Sequence, residues 1–277
     1  GEKLFDVENY KNLDEKTLTE VTVLPAENGL YSIKNQKKIK LICNLSVAIN
    51  CMHGERGEDG SLSGLLKMCL IPLASPSLLP SAVSMDKRAT KIFLKGLSIL
   101  TLPYKTACFS TDYKEFSSGI EYPVIIKPNK LGSSIGISTA NDFEELKQGI
   151  NSALRYGEVA IIEPKLSNFT EINCACYKTS SGKIECSECE KPIGSNSVLS
   201  FDDKYKNGQR EFPANISKSL SNKIKKTAEK IYRELDFSGV IRIDFFCVGN
   251  RVYVNEINSV PGSLSYYLFT DTISDFK

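Results

Sequence analysis

Two apolar runs near the end of the chain constrain its fold more than any other feature. Residues 240–248 and 251–257 each have the length of a strand, and Gly249-Asn250 lies between them. Glycine and asparagine tolerate the positive φ that a tight hairpin turn requires. We therefore predict a β-hairpin, and with it an antiparallel sheet.

Upstream of this hairpin, amphipathic helices alternate with short apolar strands. Ser84 can cap one of these helices, with Ala89, Ile92 and Phe93 on its buried side. The alternation is typical of layered α/β or α+β folds. Helices are predicted at 62–68, 85–96, 142–154 and 220–235, and strands at 39–50, 122–127 and 159–163.

The composition is that of a globular protein of about two domains. The chain has 277 residues, 41% of them hydrophobic and 25% charged, with 35 basic and 33 acidic side chains. The most basic stretch, 218–230, fits the wet face of one helix, so no nucleic-acid partner is expected. No membrane association is expected either, because the most apolar window, 65–85, contains Lys67 and three prolines. The first residues lack a secretory signal and nine cysteines is an odd number, so we expect a cytoplasmic protein.

Four of the cysteines lie close together in the sequence, at 174, 176, 186 and 189. They are either zinc ligands or small apolar side chains of a hairpin that turns at Ser180-Ser181-Gly182. The combination of C-x-C with C-x-x-C lacks the paired spacing of familiar zinc modules. The hairpin is therefore the favoured interpretation.

A lysine at the end of a buried strand introduces the first candidate site. Lys127 is followed by the loop Gly132-Ser133-Ser134-Ile135-Gly136. Small residues let backbone N–H groups approach an anion, and two hydroxyls add donors. The loop is not a P-loop, and by itself it is equally compatible with an ordinary turn.

The hairpin supplies the second candidate site. Strand alternation places Arg242 and Asp244 on one face, and Glu256 and Asn258 on one face of the next strand. Two carboxylates and an amide oxygen suit Mg²⁺, whereas a solvated hairpin with charges on its wet side is the simpler alternative. The carboxylates face each other only if the hairpin has a three-residue loop, 249–251, or a bulge, and we predict the longer loop.

His53, the only histidine of the chain, marks the third candidate site. A lone histidine is more often structural than catalytic. Here it precedes a loop, 54–60, that contains glycines and acidic residues and leads into the helix predicted at 62–68.

In order, these segments resemble D-alanine–D-alanine ligases, which are ATP-grasp enzymes of peptidoglycan synthesis. The similarity extends from about residue 40 to residue 268. The segments that carry it are His53–Gly64, Ser84–Lys87, Lys127–Ser134, Lys204-Tyr205, Arg242-Ile-Asp244 and Asn255–Gly262.

The resemblance implies an α+β ATP-grasp fold. It has a partial N-terminal α/β domain at 1–76, a central domain at 77–165 and a C-terminal domain with antiparallel sheet at 166–277. It also implies ATP and Mg²⁺ (or Mn²⁺) as cofactors, D-alanine as the substrate, and a homodimer. The implied ATP-binding residues are Lys87, Lys127, Ser134, Glu163, Lys165, Leu166, Glu171 and Lys204.

The resemblance also assigns the remaining roles. Asp244, Glu256 and Asn258 match the metal ligands of the family. Lys204 and Tyr205 match its mobile loop, which corresponds here to 194–210. Arg242 and the Gly262 N–H match its oxyanion donors. The implied catalytic residues are Arg242, Ser133, Tyr205 and Gly262, and the implied substrate-binding residues are His53, Tyr267 and Leu268.

Two features depart from the family pattern and leave alternatives open. No Gly-Gly-x-Ser loop or following glutamate precedes residue 40, and the family's last helix is not found after residue 276. Either this sequence is part of a longer chain, or part of the first-substrate site has been lost. Tyr267 stands where the family has a serine near the second substrate. The alternatives to D-alanine ligation are therefore another acceptor, such as D-lactate or D-serine, and ATP binding without ligation.

Overall fold

The computed structural model describes residues 18–34, 38–132, 134–193 and 209–270. The chain divides into two compact units. One contains the residues up to Ala48 together with Leu65–Leu73, and the other contains Ile49–Gly64 and the residues from Ala74 onward. The expected division at residues 76 and 165 stays a prediction.

The first unit contains a three-stranded antiparallel sheet in the order β1-β2-β3. Its third strand covers the first half of the run predicted at 39–50. Leu66, Cys69 and Ile71 are buried in this unit. The strands are β1 (Val21–Val23), β2 (Gly29–Lys34) and β3 (Lys38–Asn44).

The second unit contains two four-stranded antiparallel sheets, which confirms the predicted mixed fold. Sheet A has the order β4-β7-β5-β6, sheet B has the order β13-β12-β8-β9, and a short ribbon pairs β10 with β11. The strands are β4 (Lys105–Ala107), β5 (Val124–Pro128), β6 (Ser138–Ala140), β7 (Ala160–Pro164), β8 (Thr170–Lys178), β9 (Ile184–Cys186), β10 (Lys191–Ile193), β11 (Gln209–Glu211), β12 (Ile241–Val248) and β13 (Arg251–Asn258).

Two helices cover the apolar faces of these two sheets. In sheet A, Leu146 and Ile150 pack on the strands, as their helical spacing predicts. In sheet B, the predicted stripe of Ile224, Ala228 and Ile231 is fully buried. The helices are α1 (Ser61–Met68), α2 (Leu78–Met85), α3 (Lys87–Gly96), α4 (Tyr113–Ser117), α5 (Phe143–Ala153) and α6 (Lys218–Glu234), with 3₁₀ segments at Leu154–Tyr156 and Gly262–Leu268.

The predicted cap at Ser84 is wrong. Ser84 is buried within α2, where its hydroxyl donates to the Pro80 carbonyl. Asp86 has extended backbone dihedrals that separate α2 from α3, and its carboxylate accepts the Ala89 N–H, so it is the N-cap of α3. Ile92 is exposed rather than buried, because the inner face of α3 is formed by Thr90, Lys91 and Leu94.

The hairpin is present, but its turn is not the one predicted. Val248 pairs directly with Arg251, so the loop is the two-residue turn Gly249-Asn250 and the three-residue loop is wrong. A bulge next to Asp244 then shifts the register, because Phe245 pairs with Val254 while Asp244 pairs with Glu256. The carboxylates are therefore opposed, as predicted, through the bulge.

None of the helices in the described ranges is long and apolar enough to cross a bilayer. The apolar window 65–85 instead forms parts of two short helices, α1 and α2, which are separated by prolines.

Candidate active site

The predicted site residues converge on two adjoining cavities in the second unit, of about 370 and 80 Å³. The cavities share Lys87, Gly132, Glu171 and Glu256 in their linings, so they form one continuous depression. The predicted residues that line them are His53, Lys87, Lys127, Ser134, Glu163, Lys165, Leu166, Glu171, Arg242, Glu256, Asn258, Gly262 and Tyr267.

The other predicted residues lie elsewhere. Ser133, Lys204 and Tyr205 are outside the described residues. Asp244 is only 2% exposed and lies directly behind the lining, where it bonds to Arg242. Leu268 is 3% exposed and is not part of either lining, so its side chain belongs to the core.

A buried basic cluster lies at the end of the smaller cavity. The Glu163 carboxylate on β7 pairs with Lys127 Nζ at 2.7 Å and with Lys91 Nζ at 2.5 Å. Two ammonium groups share one carboxylate, so the cluster has an excess of positive charge. Lys91 was missed by the sequence analysis, although it lies one helical turn after Lys87 on α3.

The two lysines determine the ionisation of Glu163. Burial favours the neutral carboxyl, since this side chain is only 4% exposed. The ammonium groups of Lys127 and Lys91 outweigh burial and lower the pKa of Glu163 to about 2. The carboxylate is therefore ionised at neutral pH and keeps both lysines oriented.

The bulge in sheet B brings a further polar group to this cluster. Asn255 is the additional residue of β13, between the pairs Asp244–Glu256 and Phe245–Val254. Its side-chain oxygen accepts a hydrogen bond from Lys127 Nζ at 3.4 Å. Sheet A and sheet B therefore meet at Lys127.

An acidic group forms the floor of the larger cavity. Arg242 binds Asp244 with two hydrogen bonds of 2.7 and 3.0 Å, a bidentate geometry that holds both side chains. Although burial favours the neutral guanidinium, Asp244 raises the pKa of Arg242 well above its usual value. Glu256 lies opposite Asp244 in the ladder, so a second carboxylate adjoins this ion pair, and Tyr267 and Glu190 lie near the guanidinium.

The oxygen atoms of this acidic group are suitable ligands for a hard divalent cation. The Asn258 amide nitrogen donates to the Arg242 carbonyl at 3.3 Å and to Asp244 at 3.1 Å, so its side-chain oxygen points away from both. Asn258 and Glu256 line the cavity, and opposed carboxylates repel each other unless a cation lies between them. Carboxylate and amide oxygens are the ligands that Mg²⁺ takes in proteins.

The loop after His53 contributes another carboxyl group to the larger cavity. Glu58 accepts the Gly54 N–H at 2.6 Å, and its own carbonyl accepts the Ser259 hydroxyl. Gly57 permits this tight loop, because a Cβ there would lie 2.4 Å from the Met52 carbonyl oxygen. Burial raises the pKa of Glu58, and the nearby Glu256 carboxylate raises it further. Glu58 itself was not predicted as a site residue.

The smaller cavity has an apolar section that the sequence analysis also missed. Leu102 and Ile125 line it together with Phe169 and Phe246, whose rings meet edge to face at 4.7 Å. These residues come from distant segments and have no common motif, so no local signal identified them. A section of this kind suits a flat, weakly polar ring.

Tyr267 lies beside Arg242 in the larger cavity and also faces a second charged pair. The Arg210 guanidinium lies over its ring, 4.2 Å from the centroid. Arg210 also lies 3.6 Å from Glu190, which accepts a hydrogen bond from Asn173 at 3.1 Å. Burial raises the pKa of Glu190. Arg210 and Glu190 both line the cavity and were not predicted.

Along the depression lie an apolar section, a basic cluster and a group of carboxylate and amide oxygens that can bind a metal ion. Such an order can bind an anion with a flat ring at one end and a divalent cation at the other. The larger cavity beyond these groups has room for small polar molecules.

The chain is similar in sequence to D-alanine–D-alanine ligases. A family described as "D-ala D-ala ligase C-terminus" matches residues 100–275. The D-alanine–D-alanine ligase of Thermosipho melanesiensis is 34% identical over 280 residues, which cover 97% of this chain and 75% of that protein. The D-alanine–D-alanine ligase of Campylobacter lari is 35% identical over 266 residues and covers 95% and 75%.

Solved structures agree with these sequence similarities. The crystal structure of a D-alanine–D-alanine ligase from Helicobacter pylori superposes with a TM-score of 0.81 at 31% identity, over 96% of this chain and 78% of that one. The VanG D-Ala:D-Ser ligase from Enterococcus faecalis superposes with a TM-score of 0.77 at 26% identity, over 91% and 74%. The expected ATP-grasp fold is confirmed by these structural neighbours.

Proposed function

This chain belongs to the D-alanine–D-alanine ligase family, and from that premise we propose how its two cavities join two D-alanine molecules with the use of ATP. The product, D-alanyl-D-alanine, serves peptidoglycan synthesis. The observation that carries this proposal is the meeting of a basic cluster and an acidic group along one depression. Each has the charge needed for one part of a metal–nucleotide complex.

The smaller cavity is the proposed nucleotide site. The adenine ring would lie in the apolar section beside Phe169 and Phe246, with Lys165 and Leu166 at its edge. The phosphates would reach Lys127 and Lys87, and the backbone N–H groups of the glycine-rich loop would surround them. Charge-assisted hydrogen bonds from ammonium to phosphate are stronger than neutral ones, so these lysines would contribute much of the affinity.

The acidic group is the proposed metal site, with Asp244, Glu256 and Asn258 as its ligands. When bound, Mg²⁺ would neutralise charge on the transferring phosphates. Arg242 orients the Asp244 carboxylate through its two hydrogen bonds. The register of the bulge is what places the first two ligands opposite each other.

The proposed reaction has two steps. The carboxylate of the first D-alanine attacks the γ-phosphate and gives an acyl phosphate and ADP. The amine of the second D-alanine then attacks the acyl carbon, and phosphate leaves. Arg242 and the Gly262 N–H would stabilise the oxyanion of the tetrahedral state, and each such donor is worth about 10²–10³ in rate. Segment 194–210, with Lys204 and Tyr205, would exclude water, which would otherwise hydrolyse the acyl phosphate.

The end of the larger cavity near Tyr267 is the proposed acceptor site. The phenol and the Arg210 guanidinium would hold the second carboxylate. His53 and Glu58, which line the same cavity, would lie beside the first substrate. The similar VanG protein is a D-Ala:D-Ser ligase. D-Serine is therefore the alternative second substrate for this chain, which has a tyrosine at position 267.

The experiment that tests the function is D-alanine-dependent phosphate release from Mg·ATP, with mass detection of the dipeptide. Release together with D-alanyl-D-alanine is the expected result, and D-alanyl-D-serine from a mixture of amino acids would redirect the proposal to the other acceptor. Binding of ATP without any D-alanine-stimulated release would refute it.

Asp244→Asn tests the metal site in the same assay. The change keeps the shape of the side chain but removes its charge. We expect the Mg²⁺ concentration at half-maximal rate to rise by about 10–100-fold, the range seen when metal-site partners are removed. Asp236→Asn is the control, because Asp236 lies on the surface and pairs only with Lys178 among the described contacts. An unchanged Mg²⁺ dependence in Asp244→Asn would exclude this site.

A further inference from the structure

Four thiols converge on the face of sheet B that points away from the cavities. Glu171 and Asn173 of β8 line the larger cavity, and strand alternation turns the side chains of Cys174 and Cys176 to the opposite face. There they are buried in the core against α6. This cluster is separate from the proposed active site and has no part in the ligation chemistry.

The geometry of the cluster is tighter than ordinary packing. Cys176 and Cys186 are direct partners in the β8–β9 ladder, and their sulfurs lie 2.9 Å apart. Non-bonded carbon atoms already prefer about 3.5–4.0 Å, and sulfur is larger. The sulfurs of Cys174, Cys176 and Cys186 all lie within 4.8 Å of one another. Cys189 is buried in the same core cluster, so a fourth thiol lies near these three, outside their 4.8 Å group.

We propose that Cys174, Cys176, Cys186 and Cys189 bind one Zn²⁺ ion. Zn²⁺ in a structural site takes four thiolates at about 2.3 Å, which sets neighbouring sulfurs about 3.8 Å apart. The sulfurs of Cys174, Cys176 and Cys186 already lie within 4.8 Å of one another, so small side-chain rotations would bring them to this spacing. Each coordinating thiol releases its proton to solvent, and no oxidant or reductant is involved.

The surroundings supply an entry path and compensating charge. Cys186 is half-buried and lines a surface hollow with Lys225, Lys226 and Glu229, so a metal can reach the thiols from solvent. Four thiolates and Zn²⁺ have a net charge of about −2. Lys226 and Lys225, which also pairs with Glu188, offset part of it. The hairpin interpretation of the sequence is confirmed in its strands, β8 and β9. The metal would add to it the zinc role that the cysteine spacing had made the less favoured alternative.

Zn²⁺ binding would affect the position of two residues of the larger cavity. Cys189 is followed directly by Glu190, and Cys174 is preceded by Asn173, the two residues whose side chains bond to each other in the larger cavity. Bound Zn²⁺ would therefore hold the backbone next to Glu190 and Asn173, and so fix the positions of these two side chains in the proposed acceptor site.

The test is metal analysis of the full chain, reduced under argon, incubated with Zn²⁺, desalted and measured by mass spectrometry. We expect about one Zn²⁺ per chain in the wild type and in the control Cys69→Ser, which alters a buried cysteine outside the cluster. Cys186→Ser should lose the ion. Added Zn²⁺ should raise Tm by several degrees in the wild type and leave Cys186→Ser unchanged.

Cobalt substitution distinguishes thiolate ligands from the carboxylates of the active site. A thiolate-to-cobalt charge-transfer band is expected in the wild type and absent in Cys186→Ser, and it decides the question even if that variant folds poorly. Three results would each overturn the proposal: no retained Zn²⁺ in the wild type, full retention in folded Cys186→Ser, or a Cys176–Cys186 disulfide in place of metal.

Discussion

The two charged groups that line the proposed active site have opposite excess charge, although each is built around a buried ion pair. In the basic cluster of sheet A, Lys91 and Lys127 share the single carboxylate of Glu163. In the acidic group of sheet B, the guanidinium of Arg242 binds Asp244, and Glu256 lies opposite Asp244 in the ladder. In each group, the buried ion pair fixes the orientation of its side chains, and the group as a whole presents a net charge to the cavity, positive in sheet A and negative in sheet B.

This difference indicates what the ion pairs are for. A buried ion pair is weak evidence for stability, because desolvation offsets most of the attraction. Here the unpaired excess is what matters, since it can attract phosphate at one sheet and a cation at the other. Substitutions that remove one member of each group should therefore have different effects on nucleotide binding and on turnover.

The largest expected effect is that of Arg242→Ala on turnover. The change removes an oxyanion donor and the partner of Asp244, so we expect D-alanine-dependent phosphate release to fall by about 10²–10³. Removing one member of a buried pair should also lower the free energy of unfolding by about 3–5 kcal/mol, measured by urea titration.

Arg233→Ala is the matched control for Arg242→Ala. Its guanidinium pairs with Glu229 one turn away on the exposed face of α6, at 3.4 Å, where an ion pair contributes little. A loss of less than tenfold in Arg242→Ala, or an equal loss in both variants, would contradict the role of the acidic group.

The next effect concerns acid stability, through Glu163. Its folded pKa of about 2 lies below the ordinary value of 4.5, so its contribution is complete above pH 4.5 and is lost as the pH falls toward 2. A shift of this size corresponds to about 3 kcal/mol. We expect the difference in unfolding free energy between wild type and Glu163→Gln to shrink by that amount over this range.

Urea unfolding at several pH values between 5 and 2 measures this difference, and comparison of the two proteins cancels the contribution of other carboxyl groups. Curves that remain parallel across the range would show that Glu163 is not held ionised by its lysines.

A smaller effect is expected for Lys127→Ala on ATP binding. A charge-assisted hydrogen bond contributes about 1.5–3 kcal/mol, which corresponds to an increase of about 10–100-fold in Kd. Calorimetry with ATP measures it directly. Lys105→Ala is the control in the same sheet, because its ammonium binds the carbonyls of Phe116 and Ser118 on the exposed surface. Equal Kd values for the two variants would show that the phosphates of ATP do not bind at the basic cluster.

The smallest effect is that of Tyr267→Phe on the acceptor. The change removes the hydroxyl and keeps the ring that Arg210 covers. Loss of one hydrogen bond to a substrate carboxylate should raise KM for the second D-alanine about threefold to tenfold, with kcat little changed. Steady-state kinetics with D-alanine and D-serine as competing acceptors will show whether selectivity shifts. An unchanged KM for both would place the acceptor elsewhere in the cavity.

Local patterns predicted the elements on which the site is built. The stripe of α6, the helix α5 and the hairpin strands β12 and β13 form where the spacing of apolar residues indicates. These elements were predictable because their signals lie within one helix or one turn. The cap at Ser84 failed for a related reason, since a serine and an aspartate two residues apart offer similar capping chemistry, and only the packing of α2 decides between them.

The bulge at Asn255 shows where sequence reasoning ends. The turn Gly249-Asn250 alone would place Asp244 opposite Asn255 and turn Glu256 to the other face. On its other side β12 pairs with β8 in unbroken register from Ile241 to Cys247. The extra residue is therefore accommodated in β13, as a bulge at Asn255, and this bulge brings the two carboxylates opposite each other.

By itself, the sequence determined the kinds of element, the residues of the motifs and, through its resemblance to a known family, the reaction. The tertiary structure alone decided that Lys91 joins Glu163, that Phe169 meets Phe246, and that the sulfurs of Cys174, Cys176 and Cys186 lie within 4.8 Å of one another. The physical reason is that propensity and periodicity act over a few residues. Strand pairing, ladder register and the burial of charge depend on segments far apart in the chain, which are brought together only by folding.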